Sequence, residues 1–192
     1  LQAVKAGQSI QGVLEKALQT VLGAEERMAI IACGRTDAGV HAWGQVFSFS
    51  TERNIPVTAL QAALNRILPD DIRIRSVIEH TNPFHARFDC YKKTYRYSIV
   101  LGQAENPFFN QYAWYIDRSL DLDAMQKAAQ LLLGKHDFCR FTVNNRRGMD
   151  FSNYDYRRTI FSCEIKEFSV PMGFPSWQGI PEGLVIEVTG DG

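Results

Sequence analysis

One acidic side chain, Asp37, stands alone in a glycine-rich loop, and its surroundings suggest chemistry. The loop, Gly34 to Gly39, lies in the stretch "ACGRTDAGVHAWGQ", and Arg35 precedes the aspartate by two residues. A nearby guanidinium favours the ionised carboxylate and holds its direction. An ionised aspartate can act as a nucleophile or as a base. Glycine, threonine and aspartate also build tight turns, so a purely structural turn is an equally open interpretation.

Metal and P-loop chemistry are disfavoured by the same stretch. The loop holds no second carboxylate, whereas Ca²⁺ or Mg²⁺ needs several oxygen ligands. The G-x-x-x-x-G-K pattern of a phosphate-binding P-loop is absent. Elsewhere, the scattered cysteines form no C-x-x-C pair, which disfavours structural zinc: Cys33, Cys90, Cys139 and Cys163. Such scattered cysteines favour a reducing, intracellular compartment.

Tyr95, in the stretch "KKTYRY", is the second candidate for chemistry. A tyrosine on a predicted strand is often a core aromatic, and we prefer that interpretation for Tyr91 and Tyr97. Tyr95 lies between Lys93 and Arg96, and an aromatic ring beside such cations can stack on a nucleobase while the cations meet phosphates. The sequence therefore leaves Tyr95 open as a core residue or a base-stacking residue.

Charge is balanced over the whole chain but not along it. The 21 Lys and Arg equal the 21 Asp and Glu, which argues against a generally basic nucleic-acid binder. Cations nevertheless cluster between His85 and Tyr97 and between Lys135 and Arg158. Such clusters are either solvated surface or part of a groove for RNA. His41 lies near the Asp37 loop, and neither it nor His85 is assigned a primary role.

Hydrophobic periodicity predicts the elements that position these residues. Helices are predicted over 9–22, 56–67 and 121–133. Strands are predicted over 27–33, 45–51, 72–79, 91–101, 112–116, 157–168 and 184–189. Residues 135–154 are predicted to be mostly loop.

The order helix, strand, strand, helix, strand becomes β-α-β-β-α-β when one strand is added in front. We therefore predict an α+β protein of two ferredoxin-like (split βαβ) domains with antiparallel sheets and an active-site cleft between them. The first domain, 1–83, carries the Asp37 loop, and the second is 84–192. The missing first strand, and an end just after a strand pattern, predict truncation at both ends.

Six collinear segments resemble the TruA family of tRNA pseudouridine synthases. "GRTDAGVHAWGQVFSF" strongly resembles the catalytic-loop motif of that family. "SIQGVLEKAL" precedes it, and "ALNRILPDDIRI", "FHARFDCYKKTYRY" and "AAQLLLGKHDFCRF" follow in order, with "RRTI" before the last strands. The resemblance covers nearly the whole chain, so chance is an unsatisfactory explanation.

The resemblance implies an isomerase that converts uridine to pseudouridine in the anticodon stem-loop of tRNA without a cofactor. The base is detached from the ribose, turned and rejoined through carbon. Asp37 would be the nucleophile, and the resemblance leaves two routes open: attack on the sugar carbon, or assisted departure of the base followed by capture of the sugar intermediate. Arg35 would support Asp37 by pairing, and Tyr95 would bind the substrate by stacking on its base. The cations predicted to bind nucleic acid are Lys92, Lys93, Arg96, Arg146 and Arg147. A solitary carboxylate suits this reaction, because the departing base is kept and no second carboxylate has to activate water.

The resemblance also implies tRNA as the partner, a homodimer in the full-length form and a cytoplasmic location without a membrane. A second functional arginine of the family falls beyond Gly192, so a chain of only these residues is expected to be nearly inactive. The alternative is a catalytically inactive RNA-binding homologue or fragment. A weaker one is a ferredoxin-like interaction domain in which the Asp37 loop is only a turn.

Overall fold

The computed structural model of the chain describes residues 9–102, 107, 109–142, 155–168 and 183–191. It divides into two compact units, Leu1–Cys90 and Tyr91–Gly192. Each unit combines helices and strands, which confirms the predicted α+β class. The segment after Pro83 packs with the first unit, because Ala86 is buried and its N–H donates to the Ser48 hydroxyl at 3.2 Å. The division therefore falls after Cys90 rather than at Pro83.

Two helices and a short hairpin share the core of the first unit. The elements are α1 (Ile10–Leu22), β1 (Ile31–Ala32), β2 (Phe47–Ser48) and α2 (Val57–Ile67). The strands pair antiparallel and are shorter than predicted. Leu14, Leu18 and Leu22 of α1 are buried at a spacing of four, and they pack with Leu60 and Leu64 of α2.

Both ends of α1 lie where the sequence predicts them. The Ser9 hydroxyl accepts a hydrogen bond from the Gly12 N–H at 3.1 Å, which caps the first turn. Gly23 follows the helix with φ of 58°, the left-handed conformation that glycine adopts most readily. These signals are local, so the tertiary fold has little opportunity to override them.

The strand predicted over 72–79 is wrong. Ile74 is buried, but the side chain of Asn65 takes the place of a strand partner. Asn65 Oδ1 accepts from the Ile74 N–H at 2.7 Å, and Asn65 Nδ2 donates to the Ile74 carbonyl at 2.9 Å. Gln61 Nε2 donates to the same carbonyl at 3.1 Å. Polar side chains of α2 thus satisfy the main chain that a sheet would otherwise pair.

The second unit is a five-stranded sheet in the order β4-β3-β7-β6-β5. Its elements are β3 (Lys93–Leu101), β4 (Trp114–Ile116), α3 (Leu122–Leu131), β5 (Gly134–Asp137), β6 (Arg157–Phe168) and β7 (Gly183–Gly190). Three of its four strand pairs are antiparallel, as predicted, but β3 and β4 run parallel. The connection 102–113 is long enough for the crossover that a parallel pair requires.

One strand, β5, lies where a loop was predicted. It pairs antiparallel with β6, from Gly134 opposite Ile160 to Asp137 opposite Arg157. All four of its residues are exposed, and none is a large apolar residue. An edge strand of this kind has no hydrophobic alternation by which a sequence pattern could reveal it.

The sheet of the second unit has two chemically different faces, because successive strand side chains alternate. The inner face carries Tyr95 and Ile99 of β3, and Ile99 packs with Leu184, Ile116 and the α3 side chain Met125. The outer face carries Thr94, Arg96 and their cross-strand partners Thr189 and Glu187. The hydrophobic core therefore occupies the Ile99 part of the inner face, while Tyr95 is 48% exposed.

Candidate active site

The Asp37 loop connects β1 to β2 and is closed at its base by two hydrogen bonds. The Cys33 N–H donates to the Val46 carbonyl at 2.8 Å. The Gln45 side-chain amide donates to the Gly34 carbonyl at 2.8 Å. The hairpin therefore holds the two ends of the loop 34–45 together on the first unit.

Asp37 opens a four-residue turn inside this loop. The Val40 N–H donates to the Asp37 carbonyl at 3.2 Å, and Gly39 at the third position has φ of 82°, as in a type II turn. The turn therefore uses the main chain of Asp37, whose side chain is exposed. The structural and the functional interpretations of the loop concern different atoms of one residue, so both can hold.

Arg75, from the segment after α2, supports the loop on its far side. Its Nη1 donates to the Trp43 carbonyl at 3.0 Å. This contact could not be predicted from sequence, because a cation that binds a main-chain carbonyl leaves no motif. Arg35 is exposed on the same loop as Asp37, and their pairing stays a prediction.

Glu15 anchors the segment that leads into β1. This buried carboxylate accepts from Arg27 Nε at 2.8 Å, from Gln11 Nε2 at 2.8 Å and from the Ile30 N–H at 3.3 Å. Burial alone raises the pKa of Glu15, but the hydrogen bonds from Arg27, Gln11 and Ile30 outweigh it and leave the pKa lowered. A glutamate in a helix is unremarkable in sequence, so this anchor was not predicted.

Tyr95 borders a shallow depression of about 250 Å³ on the inner face of the second unit. Apolar side chains and a glycine form its floor, and two cations lie at its border. The lining residues are Lys93, Tyr95, Phe138, Arg158, Ile160, Val188 and Gly190. An apolar floor beside an aromatic ring, with cations near it, suits a planar base that carries a phosphate.

The predicted RNA-binding cations do not share one face. Lys93 lies with Tyr95 on the inner face. Arg96 lies on the outer face, where its Nε and Nη2 donate to Glu187 Oε1 at 3.0 and 2.7 Å. Lys92 Nζ is 5.6 Å from the centre of the Tyr91 ring, within the range of a cation–π contact. The fold thus brings Lys93 and Tyr95 together and separates Arg96 from them.

Of the other residues named from sequence, Arg146 and Arg147 lie outside the described residues, and His85 is involved in local packing. His85 stacks on Phe88 with ring centres 4.2 Å apart, and its Nδ1 accepts from the Phe88 N–H at 3.2 Å. The contacts of His85 are therefore those of a packing residue. The RNA contacts of all the predicted cations stay predictions.

Across the described residues, no three His, Cys, Asp or Glu side chains are grouped so that they could hold a metal ion. Among the same residues, no helix is both long enough and apolar enough to cross a membrane.

Comparison with known proteins identifies the family. A family model described as tRNA pseudouridine synthase matches residues 2–89, which include the Asp37 loop. The tRNA pseudouridine synthase A of Bacillus licheniformis is 36% identical over 190 residues, covering 98% of this chain and 70% of the relative. The enzyme of the same name from Bacillus pumilus is 38% identical with the same coverage. That of Brevibacillus brevis is 47% identical over 133 residues, 69% of this chain and 54% of the relative.

The α+β fold, the loop-borne carboxylate and these matches define an RNA-modifying isomerase. The chain belongs to the TruA family of tRNA pseudouridine synthases. The resemblance read from the six segments is thereby confirmed, and with it the prediction that the protein is an enzyme. The matches to the two Bacillus relatives run through nearly the whole chain, so both units belong to the family.

Proposed function

We propose that the protein isomerises uridine to pseudouridine in the anticodon stem-loop of tRNA, with Asp37 as the nucleophile. The observation that carries this proposal is the exposed Asp37 carboxylate, which heads a turn closed by main-chain atoms within the family-matched region. A side chain that the turn does not need for its hydrogen bond is available for chemistry. Arg35, two residues earlier, would support the carboxylate by pairing with it.

The bond changes balance without water or a cofactor. The Asp37 carboxylate forms a bond to C1′ of the ribose while the bond from C1′ to N1 of the uracil breaks. The detached base turns, and its C5 attacks C1′ as the carboxylate leaves. C5 then loses its proton and N1 gains one, so the product is an isomer of the substrate. Asp37 is regenerated, in keeping with the logic of a retaining glycosidase whose leaving group returns.

Tyr95 would receive the base that leaves the RNA stack. Its half-exposed ring borders an apolar depression, and base flipping requires such a stacking surface. Lys93 lies beside it, while Lys92, Arg96, Arg146 and Arg147 are proposed as further RNA contacts. The contact of Arg96 would have to be made on the outer face. We also propose that the full-length protein forms a homodimer and acts in the cytoplasm.

The test uses the full-length protein and tRNA carrying tritium at C5 of uridine. The unchanged protein should release the label, and Asp37→Ala should release none while keeping its melting temperature. Asp71→Ala is the matched control, because Asp71 is an exposed carboxylate of the same unit outside the loop. Equal release from Asp37→Ala and the unchanged protein would exclude Asp37 as the nucleophile. No release from the unchanged protein would favour a catalytically inactive RNA-binding protein.

A second variant separates stacking from proton transfer at Tyr95. Tyr95→Phe keeps the ring and removes the hydroxyl. If the hydroxyl takes part in removing the C5 proton, Tyr95→Phe should bind tRNA normally and release label more slowly. Unchanged release would restrict Tyr95 to stacking, and weakened tRNA binding would mean that the hydroxyl contacts the RNA directly.

A further inference from the structure

Arg158 lies on the same face of the sheet as Tyr95, although the two are far apart in sequence. Ile160 of β6 and Lys93 of β3 both pair with Gly190 of β7, which lies between them. Arg158 precedes Ile160 by two residues, so alternation directs its side chain to the inner face as well. Both Arg158 and Tyr95 line the 250 Å³ depression.

Main-chain carbonyls orient the Arg158 guanidinium. Its Nη1 donates to the Asp155 carbonyl at 2.8 Å and to the Arg157 carbonyl at 2.7 Å. Both acceptors are neutral, so these bonds fix direction without cancelling charge. The Asp191 carboxylate also interacts with the Arg158 charge. It accepts from the Thr159 N–H at 2.8 Å, which lowers the Asp191 pKa, and the Arg158 charge lowers it further.

Gly190 gives the floor its shape. A Cβ at this position would lie 2.9 Å from the Thr159 carbonyl oxygen and 3.1 Å from Ile160 Cδ1, so a larger residue would clash. The absence of a side chain lets the Thr159 main chain and the Ile160 side chain approach the Gly190 backbone closely. At about 250 Å³ the depression is below the roughly 300–1,000 Å³ typical of sites for larger ligands, and a single planar ring suits it.

We propose that Arg158 binds a phosphate of the target nucleotide while Tyr95 stacks on its base. The inference rests on the proposed function, since it assumes that the depression receives the uridine. A nucleotide has a flat apolar ring and an anionic group on a short tether, which matches an aromatic wall with a fixed cation at its border. The planar guanidinium fork suits phosphate oxygens better than a lysine ammonium does.

The test measures tRNA binding by the full-length protein at salt concentrations between about 50 and 200 mM. Arg158→Gln keeps an amide that can donate to the two carbonyls and removes the charge. It should weaken binding about tenfold and reduce the slope of log K against log salt by about 0.7 to 1, the effect of one lost phosphate contact. Arg158→Lys should keep the slope.

Arg157→Ala is the matched control. Arg157 is the adjacent arginine, its side chain lies on the opposite face by alternation, and it is bound to Asp155. Its removal should leave the salt slope unchanged. An unchanged slope in Arg158→Gln, or an equal fall in Arg157→Ala, would overturn the inference. The salt slope is measured on binding alone and needs no turnover. An unchanged slope would therefore refute the role of Arg158, whereas absent label release from the unchanged protein would refute the proposed function.

Discussion

Glu15→Ala should destabilise the first unit by about 2–3 kcal/mol. The substitution leaves the buried Ile30 N–H without its acceptor, which costs about 1–3 kcal/mol. The lost ion pair adds little to this cost, because the Arg27 side chain is 72% exposed and remains solvated when the carboxylate is removed. Alanine has a higher helix propensity than glutamate, which offsets this loss of stability by a few tenths of a kcal/mol.

Urea unfolding followed by circular dichroism gives the loss of stability, and amide hydrogen exchange at Ile30 reports the broken bond directly. Glu26→Ala is the control, because Glu26 is an exposed glutamate of the same unit, and it should stay within about 0.5 kcal/mol of the unchanged protein. If Glu15→Ala matched Glu26→Ala and the Ile30 amide kept its protection, the anchoring role of Glu15 would be refuted.

The lowered pKa of Glu15 makes the same effect depend on pH. A carboxyl whose pKa is lower in the folded than in the unfolded state stabilises the fold above its unfolded pKa, about 4.3. That contribution is lost as the pH falls through the folded pKa. The stability difference between the unchanged protein and Glu15→Gln should therefore be largest near neutrality and shrink below about pH 4. A difference that grew towards acid would contradict this sign.

Two further predictions concern local geometry and local charge. Gly39→Ala should cost about 1–2 kcal/mol in urea unfolding because φ is 82°, although a Cβ there meets nothing within 4 Å. Gly44→Ala, also in open space but without positive φ, should cost almost nothing, and equal costs would contradict the turn geometry. Asp155 should titrate by NMR with a pKa of about 2, because Arg157 side-chain and main-chain hydrogen bonds stabilise its carboxylate. Arg157→Gln should return it towards the ordinary aspartate value, and an unmoved pKa would exclude Arg157 as the cause.

The parts of the fold that follow local rules were predictable from sequence. Ser9 and Gly23 bound α1 by capping and by left-handed geometry, both written in a few adjacent residues. The interval 72–79 alternates like a strand, yet side chains of α2 bind its main chain, and only the tertiary fold decides that. The exposed edge strand β5 carries no apolar pattern, so periodicity could not reveal it.

The candidate site likewise contains residues that a sequence motif reveals and residues that only the fold brings together. The Asp37 loop and Tyr95 could be found because each belongs to a contiguous motif. Arg158 belongs to a predicted cluster of cations, but its place beside Tyr95 depends on how β3, β7 and β6 pair, so the sequence could not single it out. Arg96 was grouped with Lys93 by sequence proximity, whereas alternation along β3 directs it to Glu187 on the outer face.

The closed base of the Asp37 loop has a consequence for its length. Loop-closure free energy changes by only about 0.6 kcal/mol when a loop doubles, so one inserted residue between Gly34 and Gln45 would barely affect folding. The same insertion would shift the carboxylate by up to about 3.5 Å, the span of one extended residue. Contact geometry at a reacting carbon tolerates far less than that. A series of deletions and insertions in this segment would therefore separate folding from turnover. The free energy of unfolding should hardly depend on the loop length, whereas the proposed attack by Asp37 requires that length to be constant.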